Sequence, residues 1–175
     1  MDDIANFESQ LVKAVSTDIQ EILDLFHAVK LKMRSNGLDQ WPDSYPSRAA
    51  FVTAIEEEAV WVKKKGEVIQ ATFILDTKQD VEYLDVNWQY EEDSIYVLHK
   101  VAVHPDFQGL GLGKKMTLAA LRKAKSDGGK AFRLDTYSLN PISVKLYESI
   151  GFSKADGYCY FHGHEAPFYC FEMKL

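Results

Sequence analysis

Apolar residues recur along this chain at two spacings, and the spacing changes at turn-forming residues. Leu11, Val12, Ala14 and Val15 make a short apolar run that reads as a first strand over residues 11–15. Beyond it Ile19, Ile22, Leu23, Phe26, Val29 and Met33 recur at steps of three and four, which predicts an amphipathic helix to about Arg34. Thr17 with Gln20 predicts a capping box at its start, and Asn36-Gly37 stops it. Residues 38–46 are rich in Trp, Tyr and Pro and read as a structured loop; a second helix is expected from after Ser47 to about Glu58. Residues 59–62 and 68–75 predict two strands around the turn Lys63-Lys64-Lys65-Gly66. Residues 76–93 are polar and acidic yet hold Tyr83, Trp88 and Tyr90, and read as a long excursion between strands. A central strand is expected over 94–103, a helix over 113–127 stopped by Gly128-Gly129, a strand over 131–136, a helix led by Asn140, and closing strands over 152–159 and 168–175.

One junction carries candidate chemistry. The apolar run Val101-Ala102-Val103 ends at His104-Pro105, and Gly109, Gly111 and Gly113 then open a lysine-rich helical segment. Glycine tolerates positive φ and has no Cβ, so consecutive backbone N–H groups can converge on one point. The first turn of the following helix adds unpaired donors and the positive end of its dipole. Such a site binds a phosphate or pyrophosphate. Three spaced glycines would lower helix stability by up to about 1 kcal/mol each, a poor bargain for a purely structural connection. Two commoner phosphate motifs fail on spacing: a Walker A loop would need Gly at Gln108 and Ser or Thr at Lys115, and a dinucleotide fingerprint would need its third glycine at Lys114.

A second segment has its own punctuation. Asn140 is placed to cap a helix, Pro141 suits its first position, and Gly151 suits its end. Val144, Tyr147 and Ile150 share a face of it, with Leu146 beside them.

Together Gln108-x-x-Gly111-x-Gly113 and the Asn140-led helix ending in Gly151-Phe152 resemble, in order and separation, the two signatures of the GNAT superfamily of acyl-CoA N-acyltransferases, whose pyrophosphate loop reads Arg/Gln-x-x-Gly-x-Gly/Ala. The resemblance implies an α/β (α+β) chain with the GNAT fold: a mixed, mostly antiparallel sheet with helices on both faces and a splayed central strand pair. It implies a single N-acetyltransferase domain over residues 1–175 and acetyl-CoA as co-substrate. Val101, Ala102 and Val103 would then offer the pantetheine arm their backbone, as a sheet edge receives a strand. Gln108, Gly109, Leu110, Gly111, Leu112, Gly113 and Lys114 would hold the pyrophosphate, with Lys114 and Lys115 near the 3′-phosphate, and Asn140, Ser143 and Tyr147 would complete the acetyl-CoA site.

Amine acetylation by direct attack needs a neutral nitrogen, a polarised thioester carbonyl and a proton for the departing thiolate. Tyr147 matches the family's general acid. For the base, His99 on the central strand stands where arylalkylamine N-acetyltransferases carry a histidine, and strand alternation puts it on the face of Val101; water is the alternative. His104, ahead of a proline, reads as structural. Gln40, Trp41, Tyr45, Tyr83 and Trp88 are the acceptor-pocket candidates, since aromatics pack an amine's stem or meet its charge through a cation–π contact; core packing under long loops is their other role.

Composition narrows the partners. At 175 residues, 46% hydrophobic and 26% charged, the chain fits one globular domain. A net charge of −6 argues against nucleic acid or an anionic membrane as partner and suits a cationic amine. No apolar run is long enough to span a bilayer, and Met1-Asp2-Asp3-Ile4-Ala5-Asn6 resembles no secretory or transit segment, so a cytoplasmic location is expected. Cys159, His162, His164 and Cys170 match no zinc spacing; a hairpin with reduced cysteines and no metal is expected there. The expected reaction is acetyl transfer from acetyl-CoA to the primary amine of a small molecule. A protein or peptide acceptor and a non-catalytic acyl-CoA sensor are the alternatives, and a homodimer stays open as the assembly.

Overall fold

The computed structural model describes residues 2–175; Met1, which begins the acidic opening segment, lies outside them. Seven strands form one sheet in the order β1-β2-β3-β4-β5-β7-β6, and the chain divides into two compact units. The first takes residues up to 75 and 100–119; the second takes 76–99 and 120–175.

In the first unit a short helix, α1 (Asp2–Glu8), precedes β1 (Leu11–Lys13). The apolar pattern did not foretell α1, because Phe7 is its one buried apolar side chain. The helix α2 (Ile19–Ser35) buries Ile19, Ile22, Phe26 and Val29 of the predicted face and adds Leu25, while the predicted Leu23 and Met33 are half-buried. Its start differs from the expected Thr17–Gln20 box. Residues 16–18 form a 3₁₀ turn, Asp18 accepts the Val15 N–H at 3.0 Å and the Lys64 ammonium at 2.6 Å, and Gln20 bonds Asp24 instead. A buried carboxylate is the stronger acceptor, since charge roughly doubles a hydrogen bond. The helix α3 (Arg48–Glu56) opens with Ser47, whose side chain accepts from the Ala50 N–H at 3.1 Å.

The strands β2 (Val60–Lys65) and β3 (Val68–Asp76) form an antiparallel hairpin, and β1 pairs antiparallel with β2. Their inner residues Val60, Val62, Ile69 and Ile74 meet Phe26 and Phe51 in one core, which also takes Ala102 from β4 (Ile95–Val103). Each of these aliphatic or aromatic side chains contributes about 1.5–3 kcal/mol through burial.

In the second unit β5 (Ala131–Tyr137) pairs in parallel with β4 and antiparallel with β7 (Phe168–Lys174), which pairs antiparallel with β6 (Ser153–Cys159). The sheet is therefore mixed and mostly antiparallel. The β4–β5 ladder has three pairs and stops at Val97↔Arg133, though both strands continue; this is the splayed pair. The helix α4 (Leu112–Ser126) runs through both units, and α5 (Pro141–Ile150) packs on β5. Asn140 caps α5 by accepting the Ser143 N–H at 3.2 Å, and Gly151 closes it at φ 104°, both as predicted.

The excursion over residues 77–94 is pinned rather than loose. Buried Glu172 accepts the N–H groups of Gln89 and Tyr90, and Asn87 bridges to Asp156 on β6. At Gly157 a Cβ would lie 3.1 Å from the Asp85 carbonyl, so the glycine permits that approach. The expected β6–β7 hairpin is present, with the Cys159 and Cys170 sulfurs 2.9 Å apart as free thiols. Among the described residues no helix is long and apolar enough to cross a membrane.

Candidate functional site

The first unit holds the glycine loop. Gly109 and Gly111 adopt φ of 78° and 74°, and a Cβ built at either meets nothing within 4 Å. The glycines therefore answer to backbone conformation and leave the space above them open, which suits a group approaching the backbone closely. The α4 helix begins at Leu112, one residue earlier than expected, and the Lys115 N–H bonds back to the Gly111 carbonyl at 3.1 Å. The N–H groups of its first turn have no partner within the helix and carry its positive end.

Gln108 braces this loop: its side chain donates to the Val103 carbonyl at 3.0 Å, tying the loop back to β4. That bond takes one lone pair of the carbonyl that the sequence reading offered to pantetheine. His104 is structural as expected, its ring accepting the Asp106 N–H at 3.2 Å. Of the two lysines assigned to the 3′-phosphate, Lys115 is committed elsewhere. Its ammonium pairs with Asp3 at 3.0 Å and lies over the Phe7 ring. Lys114 is exposed. Val101 and Val103 are half-buried, and Ala102 is buried in the core.

The second unit holds Tyr147, Asn140 and Ser143 on or just before α5. Tyr147 is buried against Phe152 and Phe171, with ring centroids 5.9 Å and 6.0 Å away. Burial, helped by the negative charge of Asp135, pushes its phenol well above its ordinary pKa. It is a neutral hydrogen-bond donor across the physiological range.

His99 is also in this unit. Its Nε2 lies 3.2 Å from Asp76 Oδ1 and 3.1 Å from the Lys78 carbonyl, and its Nδ1 lies 3.9 Å from Asp80. Strand alternation does not carry from His99 to Val101. Lys100 between them has φ 52°, a left-handed conformation that breaks the two-residue period of β4.

The aromatic candidates fall into two groups, one in each unit. In the first, Trp41 packs between Phe26 and Tyr45, with centroids 5.2 Å and 5.5 Å away, and Gln40 is buried. Two cations of α2 fix this loop: Lys30 donates to the Asp43 and Tyr45 carbonyls, and Arg34 reaches Asp39, Asp43 and the Trp41 carbonyl. Lys100 lies over the Tyr45 ring at 5.5 Å.

In the second unit Tyr83 and Trp88 line a cleft of about 360 Å³, together with Gln79, Asp80, Val81, Leu84, Val86, Glu91 and Arg133. The Tyr83 hydroxyl donates to Asp135 at 2.8 Å, and burial with that carboxylate raises its pKa well above normal. The Arg133 guanidinium stacks 4.2 Å over Trp88 and donates to Gln79 and the Tyr90 carbonyl. Its Nε–H is buried with no partner among the described residues. Sequence reasoning missed Arg133, Asp76 and Asp80, because nothing local marks a charged residue in a strand or acidic loop as buried or paired. Among the described residues no group of three or more metal-binding side chains converges.

Residues 21–152 match the model of the Acetyltransferase (GNAT) family, and the chain belongs to that family. A mycothiol acetyltransferase of Actinosynnema mirum is 31% identical over 115 residues, 65% of this chain and 37% of that protein, so the match takes in little more than a third of the relative's length. The solved structure of a GNAT-family acetyltransferase from Streptococcus agalactiae matches with a TM-score of 0.81 at 19% identity, over 95% of both chains. A Salmonella typhimurium structure that contains acetyl-CoA matches with a TM-score of 0.69 at 19% identity, over 94% of this chain and 92% of its own. At these identities the two structures establish the fold.

Proposed function

We propose that this chain is an acetyl-CoA-dependent N-acetyltransferase that acts as one catalytic domain and acetylates the primary amine of a small molecule by direct attack. The observation that carries the reading is the 108–114 loop: two glycines at positive φ, open space where their side chains would be, and a helix N-terminus immediately after. These features fit the pyrophosphate of acetyl-CoA, with Gly109, Gly111 and the first turn of α4 supplying N–H donors and Lys114 adding charge. The family match takes in residues of both compact units, which supports a single domain.

In the reaction the amine nitrogen bonds to the thioester carbon, the carbon–sulfur bond breaks, nitrogen loses a proton and sulfur gains one. Tyr147 is the donor to sulfur. A thiol's ordinary pKa is about 8.5 and a phenol's about 10, and burial raises this phenol further. Full transfer to the thiolate is uphill by about 2 kcal/mol or more, so Tyr147 acts chiefly by hydrogen-bonding the developing charge. His99 takes the proton from nitrogen. For the acceptor, the cleft sets Trp88, Leu84 and Val86 beside Asp80 and Glu91, apolar walls for a stem and carboxylates for a cationic head. The free thiols Cys159 and Cys170 suit the expected cytoplasmic location.

Incubating the protein with acetyl-CoA and a panel of small amines and peptides, while following thiol release, tests this reading. Release with small amines is the expected result. Release with peptides alone would make it a protein N-acetyltransferase, and tight binding without release would make it a sensor.

A further inference from the structure

His99 is held by groups whose chemistry fixes its hydrogen. The Lys78 carbonyl can only accept, so a nitrogen bonded to it must donate; that nitrogen is Nε2, 3.1 Å away. Asp76 Oδ1 stands 3.2 Å from the same nitrogen and also accepts the Lys78 N–H at 2.9 Å. The His99 and Asp76 side chains retain 14% and 19% of their exposure, so water screens the pair poorly. Burial alone would raise the Asp76 carboxyl, but the bond and positive charge of His99, with the Lys78 N–H, outweigh it and hold Asp76 below the usual carboxylate range. The two residues are 23 positions apart, so the contact is made by folding.

We propose that Asp76, at the end of β3, is a positioning residue that sets the working tautomer of His99: with the Lys78 carbonyl it keeps a hydrogen on Nε2 and makes Nδ1 the nitrogen that receives the proton from the amine. The inference rests on the reading of His99 as the base. Nδ1 is turned toward Asp80, at 3.9 Å, and Asp80 lines the 360 Å³ cleft. A neutral ring thus presents its basic nitrogen on the side of the proposed acceptor, and once charged it lies between two carboxylates. The other charged groups of the neighbouring strand β5 have partners of their own: Arg133 engages Gln79, Tyr90 and Glu91, and Asp135 engages Tyr83. Asp76 and Asp80 are the carboxylates that flank the ring, at 3.2 Å from Nε2 and 3.9 Å from Nδ1.

The test uses Asp76→Asn, which keeps an oxygen to accept from Nε2 and from the Lys78 N–H but removes the charge. Long-range proton–nitrogen NMR on the wild-type protein should show the neutral His99 ring protonated at Nε2. In Asp76→Asn the imidazolium loses a stabilising neighbour, so its titration midpoint should fall, by about one to three units if the whole effect of a close opposite charge is lost. The acidic limb of kcat/KM should move to lower pH by the same amount, with the KM for acetyl-CoA unchanged. A hydrogen on Nδ1, or a midpoint and limb that stay in place in folded Asp76→Asn, overturns the positioning role while leaving His99 as base. Failure of the base reading looks different: folded His99→Ala would keep both limb and plateau, and the inference would fall with it.

Discussion

Tyr147 combines two properties that let its proposed role in chemistry be tested apart from its packing. Its ring fills a buried place against Phe152 and Phe171, and its hydroxyl remains protonated because burial raises its pKa. Tyr147→Phe retains the ring and removes only the donor. Turnover on an accepted amine should fall by about 10²–10³-fold, the usual effect of removing one donor aimed at developing charge, while calorimetry finds acetyl-CoA affinity nearly unchanged. Near-normal turnover would make Tyr147 a packing residue and leave thiolate protonation to water. The residues legible from sequence were those whose type carries its own geometric reason. Gly109, Gly111 and Gly151 stand at positive φ, and Asn140 caps its helix. Asp76, Asp80, Arg133 and Glu172 were not legible, because each acquires its meaning from a partner brought close by the fold.

Among the elements, α3 ends in a way its sequence conceals. The Ala59 N–H bonds to Ala54 and the Glu58 N–H to Ile55, the two bonds of a Schellman cap, yet its left-handed residue is Glu58 at φ 57° rather than a glycine. A left-handed residue with a Cβ costs about 1–2 kcal/mol. Glu58→Gly removes that cost, partly offset by the entropy of glycine and by the loss of an exposed ion pair to Lys13. The variant should gain up to about 1 kcal/mol, a rise of about 2–4 °C in Tm for a chain of this size. An unchanged or lower Tm would mean that the offsets win. The long periodic helices and most strands appeared where expected, but β1 ends at Lys13, and Lys63, Lys64 and Lys65, expected as a turn, are paired residues of β2, whose ladder to β3 carries the lysines up to Gly66. Two further departures have physical causes. Only one apolar side chain of α1 is buried, and β4 contains Lys100 in a left-handed conformation, which period-two reading cannot anticipate.

For the molecule as a whole, the order of elements was readable because turn residues punctuate it, and the splayed ladder was readable only through the family resemblance. Where β4 and β5 part company, after Val97↔Arg133, depends on pairing that no local pattern records. Among the aromatic candidates for the acceptor, Trp41 and Tyr45 belong to one compact unit and Tyr83 and Trp88 to the other. The proposed function depends on acetyl-CoA binding at the 108–114 loop. Titrating acetyl-CoA into the wild-type protein and into Gly111→Asp by calorimetry tests it most directly, with circular dichroism to confirm that the variant folds. The added carboxylate would project into the open space above the loop and repel a pyrophosphate. Binding to the wild type and its loss in the folded variant is the expected result; equal affinity in both would contradict the proposed function.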